Sequence, residues 1–355
     1  MTTYLIVYFI VFILAIYSLM TEKKDIKILY IFFSIFIVLF IGLRKHLGGS
    51  DYTVYVRYFQ NMVTPDKLDS YSYFIKYQPL YEFLNSFLRI FTNNYYVLFF
   101  IIAICTAPVW LILTYKWTRY PFFVILFYFY KTFFYSNFVV MRQLIAMMIF
   151  LISIKFLIER KFLKYFILNI IGFLFHSSAI MMIPLYFITK LKFEEYNFKK
   201  ILGIIFILII FRDPMLYFLA QIFFSLDTTK MGNEIINLST SSQINFHLFE
   251  AWFYMLIFYK LRKNIKGKEV IFYRLFIIYF ILLTIFCKYT IFIRVSMYLY
   301  ISIMVMFSKK LEIIKNKKAK LLFVYIFGLL FCLGYMKYII FFNNGTLMPY
   351  RNILI

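Results

Sequence analysis

Arginine grips phosphate or carboxylate through two parallel hydrogen bonds from its planar fork. This chain places arginines where an apolar sequence should exclude them. Arg142 opens the run Val140-Met141-Arg142-Gln143-Leu144-Ile145-Ala146, and Arg294 lies within Ile291-Phe292-Ile293-Arg294-Val295-Ser296-Met297-Tyr298. Arg44 begins Arg44-Lys45-His46-Leu47-Gly48-Gly49-Ser50-Asp51-Tyr52, and Arg351 follows Pro349-Tyr350. Snorkelling to lipid headgroups is the plain alternative for Arg142. A charge at the centre of a span costs about 2.5–3.5 kcal/mol, so one that persists calls for a partner. Arg212-Asp213 is a different case, because adjacent opposite charges can neutralise each other.

Proton transfer at neutral pH needs a tuned carboxylate or a histidine. Three residues qualify: Asp51, Glu82 in Tyr77-Gln78-Pro79-Leu80-Tyr81-Glu82, and His176 in Phe175-His176-Ser177-Ser178-Ala179. Asp51 or Ser50 serves equally well as the cap of a helix carrying Tyr52, Tyr55 and Tyr58-Phe59 on one face. His176 fits a structural role too, but it sits in the one polar cluster of its apolar segment. Tyrosine rings suit sugars, whose C–H faces stack while their hydroxyls bond the phenols, and they equally suit the aromatic belt of a bilayer. Cys105, Cys287 and Cys332 lie in apolar runs without disulfide or metal spacing, and no Gly-rich phosphate loop or G-x-S-x-G elbow occurs.

The elements that must position these groups are membrane helices. Hydrophobic residues make up 64% of 355, charged residues 15%, and the mean hydropathy is +0.83. That leaves too little polar surface to coat a soluble particle. The net charge of +24 belongs in short loops that set topology, not on a nucleic-acid surface. Apolar spans are expected at 3–21 (a retained helix, without the start or cleavage pattern of a signal peptide), 28–43, 96–115, 121–136, 140–158, 201–211, 247–259, 270–288, 290–308 and 321–342. The expected fold is an all-α polytopic membrane protein in a single domain, 1–355. It should have about 10–12 transmembrane helices plus re-entrant or interfacial ones.

Lysines and arginines cluster at 23–27, 116–119, 160–164, 190–200, 260–268 and 309–320, which the positive-inside rule assigns to the cytoplasm. An even number of crossings must then separate neighbouring clusters. Segments 44–95 and 212–246 become extracytoplasmic loops, and both termini lie outside. Helix 80–91 should lie at the interface or dip into it. Residues 165–189 resist the parity. A single crossing would break it, whereas a broken, re-entrant pair turning at His176-Ser177-Ser178 would keep it.

The outer-loop runs, from Arg44 through Gly49-Ser50-Asp51-Tyr52 to Tyr55 and from Tyr77 through Glu82 to Asn85, resemble the start of EpsG-like polysaccharide polymerases, a branch of the Wzy class. Met141-Arg142-Gln143-Leu144-Ile145-Ala146 and Phe175-His176-Ser177-Ser178-Ala179 look like that family's next landmarks, in the same order, and Arg294 with Tyr298 looks like its late arginine segment. The resemblance implies a fold similar to GT-C membrane glycosyltransferases. It implies metal-independent transfer of a growing glycan from undecaprenyl pyrophosphate to an incoming undecaprenyl-pyrophosphate repeat unit, at the outer leaflet of a bacterial inner membrane. On that reading Arg142 and Arg294, with Arg44 and Arg351 behind them, stabilise the pyrophosphate. His176, Asp51 or Glu82 supplies the base, with His176 favoured, and Tyr52, Tyr55, Gln143 and Tyr298 face sugar. No cofactor or metal is expected. The expected partners are the lipid-linked oligosaccharide, membrane lipid, and a chain-length regulator and flippase of the same pathway, with no nucleic acid. A single-transfer glycosyltransferase or O-antigen ligase would share the arginines. A lipid-glycan transporter ranks lower, because charges gather at one face and no inverted repeat is present.

Overall fold

The computed structural model describes residues 1–70, 78–225, 246–341 and 346–354. Tyr77 and most of the expected 212–246 loop lie outside the described residues. The described chain is built from helices, with one isolated bridge between Arg44 and Asn352. Six helices are long and apolar enough to cross a bilayer, or seven if the bent pair Phe198–Ile210 and Arg212–Gln221 counts as one broken span. Four shorter apolar helices accompany them. Only with these short helices does the number of apolar segments reach the expected range. Large side chains such as Ile13, Ile112 and Leu333 stand exposed on the long helices. Such faces suit hydrocarbon and not water, and the protein is an all-α polytopic membrane protein.

The chain divides into two compact units. The first holds Met1–Ile152, Leu174–His176 and Ser308–Ile355. At its centre is Pro121–Lys131, whose residues from Pro121 to Phe129 are all buried. A helix apolar on every side belongs in a core; its eleven residues reach about 16 Å, and the π-helix Tyr135–Val139 continues the segment towards Arg142. Thr2–Met20 and Lys317–Phe341 pack against it, and Lys27–Gly42 packs against Tyr95–Trp117. Two glycines allow the outer helices to approach closely. A Cβ on Gly328 would overlap the Phe12 ring, and one on Gly334 would overlap Tyr130. Buried tyrosines fasten the same layer: Tyr8 donates to the Gly328 carbonyl at 2.5 Å, and Tyr335 to that of Tyr4 at 3.0 Å.

The second unit holds Ser153–Phe173 and Ser177–Phe307. Here segment 165–189 doubles back. Helix Phe162–Phe175 stops before His176 and a 3-10 turn, Ser177–Met182, follows. Tyr165 then donates to the Met182 carbonyl at 2.5 Å, and Arg160 bonds the Thr189 hydroxyl and carbonyl at 3.1 and 2.7 Å. Arg274 bonds the same Thr189 carbonyl at 2.8 Å and forks onto Glu194. The segment therefore ends beside its own start, as the parity argument requires. Fourteen helical residues rise only about 21 Å, which is why it cannot cross the roughly 30 Å core and return. The expected 201–211 span bends by 62° at Phe211, and Arg212 pairs with Asp213 at 2.9 Å, so that arginine is spent locally.

Candidate functional site

Within the first unit, a turn and two short helices assemble around Arg142. Gly49 has φ +61°, and a Cβ at Gly48 would press on the Phe138 carbonyl at 2.8 Å. Glycine is required at both positions for these separate reasons. Helix Gly49–Asn61 follows. Contrary to the expected Asp51 or Ser50 cap, Gly48 occupies the N-cap position and no side chain caps the helix. Asp51 instead lies in the first turn, where a carboxylate complements the helix dipole, one turn before Tyr55. Helix Pro79–Arg89 turns Tyr81, Glu82, Asn85 and Ser86 inward, while Phe83 and Phe87 stand exposed. A polar inner face and an apolar outer face are the arrangement expected of a helix wetted by lipid on its outside.

Tyr55, Tyr81 and Met141 are buried in one cluster, against which Tyr52, Tyr58 and Phe175 pack. Arg142 sits in this cage with its guanidinium carbon 5.7 Å from the Tyr55 ring centre and 5.8 Å from that of Tyr81. Burial raises the Tyr55 hydroxyl pKa, and the Arg142 charge opposes that rise. The Arg142 guanidinium hydrogen-bonds the Tyr55 hydroxyl, its buried Nε has no acceptor, and among the described residues no carboxylate pairs with it. Arg142 also stands in the first turn of Met141–Ile158, where the helix dipole disfavours a cation, and its backbone N–H is already bonded to the Tyr55 hydroxyl. An anion at this point would offset the buried cation and the helix dipole together.

Gln143 is buried beside Arg142 on the same helix start. His176, half-buried, belongs to the first unit with Leu174 and Phe175, and Phe175 packs on the Tyr55–Tyr81–Met141 cluster. Arg44 is close by but occupied. It is 1% exposed, donates to the carbonyls of Leu47 and Ile41 at 3.1 and 2.8 Å and to the Met141 sulfur at 3.0 Å, and lies over the Phe99 and Phe138 rings. It shapes the turn and seats the start of the Arg142 helix. Arg351 is exposed, and its carbonyl accepts from the Lys45 N–H at 2.9 Å. In the second unit the Tyr298 and Ser178 hydroxyls bond at 2.9 Å, joining two of the sequence landmarks, and Arg294 lies one helical turn before Tyr298.

Glu82 is 2% exposed, with neither carboxylate oxygen hydrogen-bonded. Burial pushes its carboxyl up to about 7. The folded state therefore binds this proton more tightly than the unfolded chain. Its contribution to stability is full below the ordinary carboxylate range and is lost as pH rises through about 7. Glu82→Gln should remove that loss: its thermal midpoint in detergent should fall less between pH 5 and pH 8 than that of the wild type. Equal slopes would show that Glu82 is solvated.

Sequence reasoning passed over two groups. Glu250 is buried within the expected 247–259 span, accepting from Tyr254 at 2.5 Å with His247 Nδ1 at 3.6 Å. An acidic residue inside an apolar run was the available signal. His46, with φ +54°, has Nδ1 3.2 Å from the Tyr52 hydroxyl and Nε2 3.4 Å from that of Tyr96. Nothing local marks that contact, because Tyr96 lies fifty residues away.

The architecture is that of a polytopic helical membrane protein with an uncompensated arginine caged by tyrosines at a helix start. Residues 27–352 match the EpsG family, and the chain belongs to that family. Membership supports a role in polysaccharide synthesis. No curated protein and no solved structure matches the chain.

Proposed function

We propose that this protein is a metal-independent, GT-C-like glycosyltransferase that polymerises lipid-linked oligosaccharide repeat units on the extracytoplasmic face of a bacterial inner membrane. The growing glycan leaves undecaprenyl pyrophosphate as its anomeric C–O bond to phosphate breaks. A hydroxyl of the incoming undecaprenyl-pyrophosphate repeat unit forms the new C–O bond and gives its proton to a base. The carrier pyrophosphate departs with the bonding electron pair and the developing negative charge. The observation that supports this most is the Arg142 cage: a desolvated guanidinium held by the Tyr55 and Tyr81 rings and the Tyr55 hydroxyl, with no carboxylate partner among the described residues. Preorganised charge of this kind favours the state in which the leaving group becomes anionic, because no solvent has to reorganise when the bond breaks.

Arg142 takes the pyrophosphate in this reading, and Arg44 holds the turn that positions it. His176 takes the acceptor proton, with Glu82 and Asp51 as the carboxylate alternatives. Tyr52, Tyr55, Gln143 and Tyr298 are assigned to sugar hydroxyls and faces, and Arg351 is a peripheral anion contact. Arg294 is assigned a second phosphate-binding role, and Arg294→Ala should reduce polymer by about tenfold to a hundredfold, the scale of a lost charge-assisted contact. Polymer length on gels, at matched membrane content, checks this; unchanged chains would remove Arg294 from the reaction.

The test of the whole proposal is reconstitution with a single lipid-linked repeat unit. A ladder of products is expected. A single product formed only with a different acceptor would make the protein a ligase, and no transfer at all would reject glycosyl transfer. A chain-length regulator and a flippase remain the proposed pathway partners, and added regulator should narrow the ladder.

A further inference from the structure

A groove of about 520 Å³ runs between Lys27–Gly42 and Tyr95–Trp117, wholly within the first unit and separate from the Arg142 cage. Its walls include Ile31, Ile35, Ile104, Pro108 and Ile112, of which Ile112 is 63% exposed. From Lys27 to Leu39 it follows twelve residues of helix, about 18 Å, which is close to the depth of one leaflet of a ~30 Å core. Pro108 gives no N–H to the Ile104 carbonyl, so the wall is interrupted at its middle. The lining hydroxyls are already used: Tyr30 donates to the Leu111 carbonyl at 2.9 Å, Ser34 to that of Tyr30 at 2.7 Å, and Tyr115 to that of Lys23 at 2.9 Å. The walls thus offer a guest only apolar contact.

One end is different. Lys27 is exposed and has no ion-pair partner among the described residues. The Lys23 ammonium is nearby, 4.5 Å from the centre of the Tyr115 ring. An apolar slot of leaflet depth ending at an uncompensated ammonium matches an amphiphile with one long chain in the slot and an anionic head at its mouth. We infer that the groove holds an acyl chain of an anionic phospholipid from the leaflet on the Lys27 side, with the lipid phosphate on Lys27. This does not depend on the glycosyl-transfer reading.

Native mass spectrometry of the full-length protein with added phosphatidylglycerol or phosphatidylcholine tests the inference. The wild type should retain phosphatidylglycerol preferentially. Lys27→Gln should lower that retention about fivefold, the effect of the roughly 1 kcal/mol that one juxtamembrane lysine contributes, and leave phosphatidylcholine unchanged. Ile112→Trp, at an exposed wall position, should reduce retention of both lipids, and Ile35→Trp provides a second filling variant if the first does not fold. Equal retention of the two lipids by the wild type, or no effect of Lys27→Gln, would overturn the inference. So would groove filling that displaces an added polyprenyl phosphate while phosphatidylglycerol stays bound, because the occupant would then be an isoprenoid.

Discussion

Arg142→Ala should lower polymer formation by about 10²–10³-fold while the protein still inserts and elutes as a single species. That range is the cost of removing one preorganised donor from a developing oxyanion. The structural reason is that Arg142 has no carboxylate partner among the described residues, so its charge is not engaged in holding the fold. What it does hold is ring contact with Tyr55 and Tyr81, worth about 0.5–2 kcal/mol, and a hydrogen bond to the Tyr55 hydroxyl, worth about 1 kcal/mol more. Activity should therefore fall far more than stability. Arg142→Lys separates charge from shape. The ammonium keeps the charge but cannot present two parallel donors, so it should restore only part of the activity. The measurement is the rate of ladder formation from a lipid-linked repeat unit, with thermal unfolding as control. Normal chains from Arg142→Ala would end the electrostatic argument.

His176→Gln should slow transfer by about 10²–10⁴-fold, the usual contribution of general acid–base catalysis, with donor binding retained. Glutamine keeps hydrogen-bonding capacity and approximate size but cannot accept the proton, so binding and chemistry should separate. The geometry makes the site reachable. His176 sits at a break between two helices, half-buried, next to Phe175, which packs against the cluster that cages Arg142. Binding of the lipid-linked donor and single-turnover transfer are the two readouts. If His176→Gln remains active, the base is a carboxylate. Glu82 is then first in line, because burial has already pushed it up to about 7, close to the operating pH of a general base. In that case the rate should rise with pH through about 7 and Glu82→Gln should abolish the rise.

The two predictions draw on different kinds of information. Membrane residence, the apolar spans and the break at His176 follow from composition and from one-dimensional order. Hydrophobic runs and loop charge act locally, and parity of crossings is a counting argument that needs no contacts. Arg142 at the start of an apolar run was visible in the same way. Its environment was not. Tyr55 and Tyr81 lie some sixty to ninety positions before it, and ring faces reach a guanidinium only after the helices have packed. Arg44 shows the reverse. As sequence it was one more arginine beside an outer loop, but folding surrounds it with the carbonyls of Leu47 and Ile41, the Met141 sulfur and two aromatic rings. The Asp51 cap failed for a local reason: Gly48 takes the N-cap position, so Asp51 falls inside the first turn.

Composition and residue order are enough to fix the solvent of this protein, the order of its helices and which charges stand out of place. Hydrophobicity and charge are properties of each residue and survive without a fold. Packing settles which of those charges have carbonyls and rings around them and which, like Arg142, keep a buried donor without an acceptor. Satisfaction is a matter of a few ångströms between groups far apart in the chain, and that distance is set by packing.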